Sequence, residues 1–417
     1  MRKDYLSSQL IATQALLPRD ESSSQSLSRP ITSTDLIIYA RHVKSVTLKT
    51  HWYYLDGDTY QHEHAWPSVL ACAAANVLFP NLTKLHIEIL YKSTSAHWDW
   101  AALFTVPTLT EIHYFLPVRS GRESTLKFES ILSKCLDLEQ IELSIDGYAW
   151  SWDCIATSPV PQFLRSVKVE YGALGSSFLN WAGQIPRLEV LDLQPWEWGN
   201  PLGSRFNRQV ASLPNLDLPP ESFPSLLSLK LTHINMNLLA QLCCTPIVTH
   251  LVKLVIEIRP SELADLTTGG LFALLAERIP RLQEFECSGD YKLENSTIAK
   301  LCPLSLRNLK LSGSDEIGPE LHMPTLSSFS QTLEVLELNY YIALGTVMLL
   351  PLHLPRLEVL SVYLDSQAIP GSIDTSHLAG ASLERMRVIW LSRPFNLTIK
   401  LDRREELESA KLELWAK

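Results

Sequence analysis

One phrase recurs along the chain at a nearly constant interval, and it constrains the fold more than any other feature. An apolar residue is followed by two variable residues, a second apolar residue, one variable residue and a third apolar residue. Clear copies are FPNLTKLHI, which begins at Phe79, and IPRLEVLDL, which begins at Ile185. From Leu82 onward the first apolar positions advance by 27, 29, 26, 24, 38, 25, 31, 24, 27, 24 and 26 residues.

This LxxLxL pattern, at intervals in or near 20–29 residues, is typical of leucine-rich repeats. In a short strand alternate side chains point to the same side, so the last two apolar positions face a core together. The segments between strands, such as SSFLNWAGQ and GGLFALLAER, have helical spacing. The sequence therefore predicts an α/β fold: a leucine-rich-repeat solenoid, an irregular horseshoe with a parallel β-sheet on the concave face and helices outside.

The repeats extend over most of the chain. VKSVTL, with Val46 and Leu48, is predicted to be an early copy, and the series closes at Leu383, Met386 and Val388. We expect three parts: a partly disordered N-terminal segment at 1–30, about 12–13 repeats over 31–400, and a C-terminal capping helix at 401–417. The asparagine that usually follows each strand is mostly missing, which predicts an irregular pitch.

Composition and charge exclude several classes of function. The formal net charge is -9 and the pI is about 5.8, which gives no reason to expect nucleic-acid binding. We find no apolar run long enough to span a membrane and no secretory signal, so we expect a cytoplasmic or nuclear protein without a membrane partner. The seven cysteines are predicted to be reduced thiols.

Motifs for catalysis and cofactors are absent from the sequence. It contains no GxGxxG, GxxxxGK[ST], HExxH or GxSxG motif. His62, Glu63 and His64 lack the further ligands at fixed spacing that a metal site needs, so a solvated loop is the better interpretation. We expect no enzymatic activity, no cofactor and no bound metal.

The variable positions on either side of the second core residue point away from the core and are predicted to line the concave face. Both signs of charge occur there, so no ligand of a single sign is implied. A solvated sheet face remains the alternative to a binding face. The candidate partner-binding residues are Lys84, His86, Glu111, His113, Glu142, Lys168, Asp192, Lys230, Lys253, Glu284, Glu286, Lys310, Glu337, Arg385 and Arg387.

Inserted loops are the competing location for a binding site. The insertion after Leu193 accounts for the interval of 38 residues and contains Trp196, Trp198 and Phe206. Exposed aromatic side chains are favoured at binding hot spots, so these three are candidate partner anchors. The alternative interpretation is that they cover an open edge of the helical layer.

The phrase RPITSTDLIIYARHVKSVTL resembles the opening of the irregular leucine-rich-repeat domain in a large family of fungal, chiefly basidiomycete, F-box proteins. The matching residues are Arg29, Pro30, Asp35, Tyr39, Ala40, Arg41, Val43 and Ser45. The resemblance implies the substrate receptor of an SCF-type cullin–RING ubiquitin ligase. In such a receptor the F-box binds the adaptor and the repeats hold a protein target.

An F-box of that family would precede Leu16, where only fifteen residues stand. The F-box itself is therefore expected to be missing, and the segment at 1–30 is at most a remnant of one, in which YLSSQLIATQALL would be the last helix. Contact with the SCF adaptor and cullin would need an F-box upstream. Two hypotheses remain: the target-recognition part of an F-box-type ubiquitin ligase receptor, or a stand-alone leucine-rich-repeat binding protein with no role in ubiquitination.

Overall fold

The computed structural model describes only part of the chain, and the following account is confined to that part. The described residues are 41–50, 79–89, 104–117, 121–146, 155, 158–170, 176–194, 216–234, 236–258, 268–289, 291, 294–313, 323–329, 331–342, 350, 353–364, 388–391 and 398–399. The chain divides into two compact units. Unit 1 comprises residues 1–198 with 223–225, and unit 2 comprises 199–222 with 226–417.

Within its described residues, unit 1 has six parallel strands that pair in the order of the sequence. They are β1 (Ser45–Thr50), β2 (Lys84–Ile89), β3 (Glu111–Pro117), β4 (Gln140–Asp146), β5 (Ser166–Glu170) and β6 (Val190–Gln194). The helices described in the connections of this unit are α1 (Gly121–Lys134) and α2 (Ser176–Gly183). A connection that crosses over to the next parallel strand is usually a helix.

Unit 2 repeats the arrangement. Its strands are β7 (Ser228–Ile234), β8 (Lys253–Ile258), β9 (Glu284–Gly289), β10 (Asn308–Ser312), β11 (Val335–Ile342), β12 (Val359–Leu364), β13 (Val388–Leu391) and β14 (Thr398–Ile399). Its helices are α3 (Met236–Cys243), α4 (Thr268–Arg278), α5 (Asn295–Ile298) and α6 (Met323–Ser327), with 3-10 turns at Pro246–Val248 and Ala299–Leu301. Strands β7 to β13 pair in parallel, and β14 adds an antiparallel edge to β13 that the repeat pattern did not predict.

The strand register confirms the repeat alignment from β1 to β6 in unit 1 and from β7 to β12 in unit 2. Leu85 pairs with Ile112, and Leu229 pairs with Leu254, so equivalent core positions lie side by side. The side chains of Leu191, Leu229 and Leu336 are at most 1% exposed. The fold is an α/β leucine-rich-repeat solenoid, as predicted.

The helices cover the inward side of the strands. In α4, Leu271, Phe272 and Leu275 are buried. The ring of Phe272 meets that of Phe285 in β9 edge to face, at 5.5 Å between centroids. The apolar residues of GGLFALLAER therefore lie on one side of the helix, where they pack against the strand that follows and cover the core.

A fourth core position precedes LxxLxL by three residues, and we did not predict it. Phe79, Val106, Cys135 and Ile185 are all buried there. In each case the carbonyl oxygen accepts a hydrogen bond from the N–H of the first leucine position, which closes a tight turn. Proline follows Phe79, Val106 and Ile185 because its fixed φ suits the second position of such a turn. The signal was present in the phrases FPNL, VPTL and IPRL.

A ladder of backbone hydrogen bonds joins the strand entrances. The carbonyl oxygen of Thr83 accepts from the N–H groups of Thr110 and Glu111, at 2.9 and 3.0 Å. The same forked contact recurs in unit 2, where Val252 accepts from Gln283 and Glu284 at 2.9 and 3.0 Å. Backbone groups therefore tie successive repeats together at the entrances of their strands.

The last repeat needs a correction. Our alignment placed Met386 beside Leu360, whereas the structure pairs Ile389 with Leu360 and Leu391 with Val362. The strand thus begins three residues later than expected. Ile389 and Leu391 have the same two-residue spacing as the predicted pair, and β-branched residues favour extended backbone. The predicted capping helix at 401–417 and the N-terminal segment at 1–30 lie outside the described residues.

Candidate functional site

The strand positions that face away from the buried core, on the side of the sheet predicted to be concave, form two rows in each unit. We call this side the outward face and name the rows row A, the position before the second core residue, and row B, the position after it. In unit 1, row A runs Lys84, Glu111, Gln140, Ser166 and Val190, and row B runs His86, His113, Glu142, Lys168 and Asp192. In unit 2, row A runs Ser228, Lys253, Glu284, Asn308, Val335 and Val359, and row B runs Lys230, Val255, Glu286, Lys310, Glu337 and Ser361.

The sequence placed these residues in the same rows. Their side chains are partly exposed, while the core residues between them are buried, as the alternating burial of β8 shows. Trp196, Trp198 and Phe206 lie outside the described residues, and their role stays a prediction. Arg385 and Arg387 also lie outside them, but the register of β13 gives the row A and row B positions of the last repeat to Val388 and Trp390. The predicted placement of the two arginines in these rows is therefore wrong.

Five side chains in unit 1 form a continuous chain of ion pairs across four strands. Lys84 in β2 pairs with Glu111 in β3, and Lys168 in β5 pairs with Glu142 in β4. His113 lies between the two carboxylates: its Nε2 is 2.7 Å from Glu111 Oε1 and its Nδ1 is 2.6 Å from Glu142 Oε2. We name this set the unit 1 charge chain.

The charge chain shifts the protonation of its members. The hydrogen bond to Glu142 raises the pKa of His113 above its ordinary value of 6.5, against the opposing effect of burial, and Glu111 adds to the increase. The hydrogen bond from His113 also lowers the pKa of Glu142 to about 2, with help from Lys168. For Glu111, burial works to raise the pKa, but the hydrogen bonds from Lys84 and His113 outweigh it and lower the pKa.

Two further contacts involve the row B residues that lie on either side of the charge chain in unit 1. The ring of His86 stacks on that of His113, with 5.7 Å between centroids and 24° between planes. At the other end Gln194 Nε2 donates to Asp192 Oδ2 at 2.8 Å. Gln194 was not among the predicted site residues, because it lies two residues after the row B position of its strand.

Unit 2 carries separate ion pairs on its outward face. Lys253 Nζ lies 2.9 Å from Glu284 Oε2, and Lys310 Nζ lies 2.8 Å from Glu337 Oε1. The hydrogen bond to Glu337 raises the pKa of Lys310. In the same unit His233 Nδ1 lies 3.1 Å from Glu257 Oε1. His233 has a φ of 52° at an irregularity in the β7–β8 register, which no sequence pattern revealed.

Two exposed apolar side chains precede strands in unit 1. Leu136 is 67% exposed and Phe163 is 42% exposed. The guanidinium of Arg187 lies 5.0 Å from the centre of the Phe163 ring, close enough for a cation–π interaction. These positions vary among the repeats, so LxxLxL alignment does not single them out.

The described cysteines are free. They are Cys135, Cys243, Cys244, Cys287 and Cys302, whereas Cys72 and Cys154 lie outside the described residues. Burial raises the pKa of Cys135, Cys243 and Cys287 to about 12, so these three thiols remain protonated and act as small apolar core residues.

Within the described ranges no group of three or more His, Cys, Asp or Glu side chains could hold a metal ion. None of the helices there is long and apolar enough to cross a membrane. His62, Glu63 and His64 are outside these ranges.

Comparison with known proteins yields a similarity in structure only. No protein-family model and no curated protein matches the chain. A chain in the crystal structure of the Rad7 and Elc1 complex in yeast is 14% identical, with a TM-score of 0.41, over 82% of this chain and 76% of that chain. The fold assignment therefore rests on the strand register and the core burial of this chain.

Proposed function

We propose that the chain is a protein-binding scaffold whose partner contacts the outward face of its strands. The observation that carries this proposal is the alignment of charged side chains in rows A and B. Adjacent strands place equivalent side chains about 4.8 Å apart. Ion pairs such as Lys253–Glu284 hold these side chains in place before a partner arrives. A series of fixed, partly exposed polar groups across several strands suits a polypeptide surface that spans those strands.

The charge balance of the rows favours a protein partner over a polyanion. In unit 2 the rows contain three lysines, Lys230, Lys253 and Lys310, and three glutamates, Glu284, Glu286 and Glu337. Nucleic acid would require a clear excess of positive charge. A partner with both signs of charge matches this face better.

The finer proposal concerns the cellular role. The resemblance of Arg29–Ser45 to the fungal F-box family supports a role as the target-recognition part of an SCF-type ubiquitin ligase receptor, acting in the cytoplasm or nucleus. The repeats would hold the target, and other subunits would transfer ubiquitin. A stand-alone binding protein would use the same face without adaptor or cullin.

Charge reversal on the outward face tests the binding site. Two double variants, Glu284→Lys with Glu286→Lys and Lys230→Glu with Lys253→Glu, are expected to lose the partner that co-purifies from native cells. Arg278→Glu with Arg281→Glu is the matched control, because both arginines are exposed and lie outside rows A and B. Circular dichroism checks that each variant folds.

The same purification separates the alternatives. If both face variants keep full binding and deletion of 195–215 abolishes it, the inserted loop is the site and the face assignment is wrong. The deletion stops at 215 because Leu218 is buried. Recovery of adaptor and cullin together with a target supports the ligase role, whereas a target recovered without them supports the stand-alone role.

A further inference from the structure

The position of His113 between two carboxylates requires a particular protonation state. Each ring nitrogen is within hydrogen-bond distance of a different carboxylate oxygen, at 2.7 Å for Glu111 and 2.6 Å for Glu142. An ionised carboxylate only accepts hydrogen bonds, and a neutral imidazole carries one N–H. A neutral His113 would therefore direct a nitrogen lone pair at one of the carboxylates. Only the imidazolium form, with two N–H donors, makes both contacts.

We propose that His113 is a proton-dependent clamp on the outward face of unit 1. As an imidazolium it joins Glu111 on its own strand to Glu142 on β4. Loss of its proton releases one of the two carboxylates and makes the face one charge more negative. Histidine is the side chain whose charge ordinarily changes between pH 5 and 8, so this change falls within the range that cells use.

The charged neighbours of His113 determine the net charge of the face before and after the proton is lost. Lys84 from β2 pairs with Glu111, and Lys168 from β5 pairs with Glu142. The two lysines offset the two glutamates, so the charge chain carries one net positive charge with His113 protonated and none with it neutral. His86 from β2 stacks on the ring, and the neutral Gln140 lies beside Glu111 in row A.

The two carboxylates contact the imidazolium directly, whereas the lysines meet it only through those carboxylates. The attractive contacts are therefore the closer ones. Glu142 also keeps its charge over the relevant range, because its pKa is lowered to about 2. The clamp thus titrates through His113 and not through its partners.

A titration of the histidine ring nitrogens tests the clamp. Long-range ¹H–¹⁵N correlation spectra of the full chain, labelled at histidine, distinguish an imidazolium from either neutral tautomer. His113→Gln, His86→Gln and His233→Gln variants assign the signals. We expect His113 to remain an imidazolium through pH 6.5 and to titrate above that value. Glu142→Gln should move its midpoint down.

The outcome requires no partner and so does not depend on the proposed function. A neutral tautomer at pH 6.5, or a midpoint at or below it, overturns the clamp. A midpoint that Glu142→Gln leaves unchanged also overturns it. If Glu142→Gln does not fold, Glu111→Gln makes the same test at the other ring nitrogen.

Discussion

The outward faces of the two units use the same repeat positions but organise their charges differently. In unit 1, His113 joins two carboxylates and links pairs from four strands into one chain. In unit 2, Lys253–Glu284 and Lys310–Glu337 share no residue. The carboxylates of unit 1 are also better covered, with Glu142 29% exposed against 39% for Glu284. One side chain with two hydrogen-bonding atoms thus joins neighbouring ion pairs through direct hydrogen bonds, whereas in unit 2 the charge of Lys310 interacts with Glu284 and Glu286 electrostatically.

The inward sides of the two units should behave alike, and core truncation tests this. Leu191→Ala in unit 1 and Leu229→Ala in unit 2 should each lower the free energy of unfolding by roughly 2–5 kcal/mol, through lost burial and a cavity. Urea denaturation measures the loss. A variant with the same free energy of unfolding as the wild type would show that the assigned strand register is wrong at that position.

A backbone constraint distinguishes unit 2. Gly289, at the end of β9, has a φ of 135°, and a Cβ there would collide with the backbone carbonyl of Ile258. Gly289→Ala should destabilise unit 2 by roughly 1–3 kcal/mol from the strained conformation alone. Gly269→Ala is the matched control because its nearest contact would be ordinary, at 3.4 Å from Thr297 Oγ1. Equal stability of the two variants would contradict this reason.

Removal of one carboxylate from each face tests the difference in organisation. Glu142→Gln breaks charged hydrogen bonds to His113 and Lys168 and should cost about 1.5–3 kcal/mol. Glu284→Gln breaks one exposed pair and should cost about 0.2–1 kcal/mol. Denaturant midpoints at pH 6 compare them. Equal losses would mean that the charge chain adds nothing beyond separate pairs.

The smallest expected effect is the pH dependence that His113 contributes in unit 1. The pKa of folded His113 is raised, so its stabilisation is complete below the ordinary value of 6.5 and is lost as pH rises through the raised pKa. The pKa of folded Glu142 is lowered to about 2, so its stabilisation is present above 4.5 and is lost as pH falls toward 2. The stability difference between wild type and His113→Gln should therefore be largest between about pH 4.5 and 6.5.

Thermal melts across this range measure that difference. Lys310→Gln in unit 2 is the control, because its partner Glu337 involves no histidine. A difference between wild type and His113→Gln that is constant from pH 5 to pH 9 would contradict the assigned role.

The sequence by itself determined which residues face the core and which face outward. A period of two within each strand and a recurrence near 24–29 residues leave one register in which Leu85, Ile112 and Ile141 can all be buried. The contents of rows A and B from β2 to β12 followed from that register alone. The predicted register was wrong at β13, because two overlapping sets of apolar residues there fit the same LxxLxL spacing.

Only the tertiary structure decided which outward side chains meet. Lys84, Glu111, His113, Glu142 and Lys168 lie up to 84 residues apart, and their ion pairs depend on rotamers and on the short distance between parallel strands. The left-handed backbone of His233 likewise lies at an irregularity in the β7–β8 register that the repeat pattern does not encode. Burial repeats with the sequence period and can be predicted from it, whereas side-chain contacts between repeats depend on three-dimensional distances that the period does not encode.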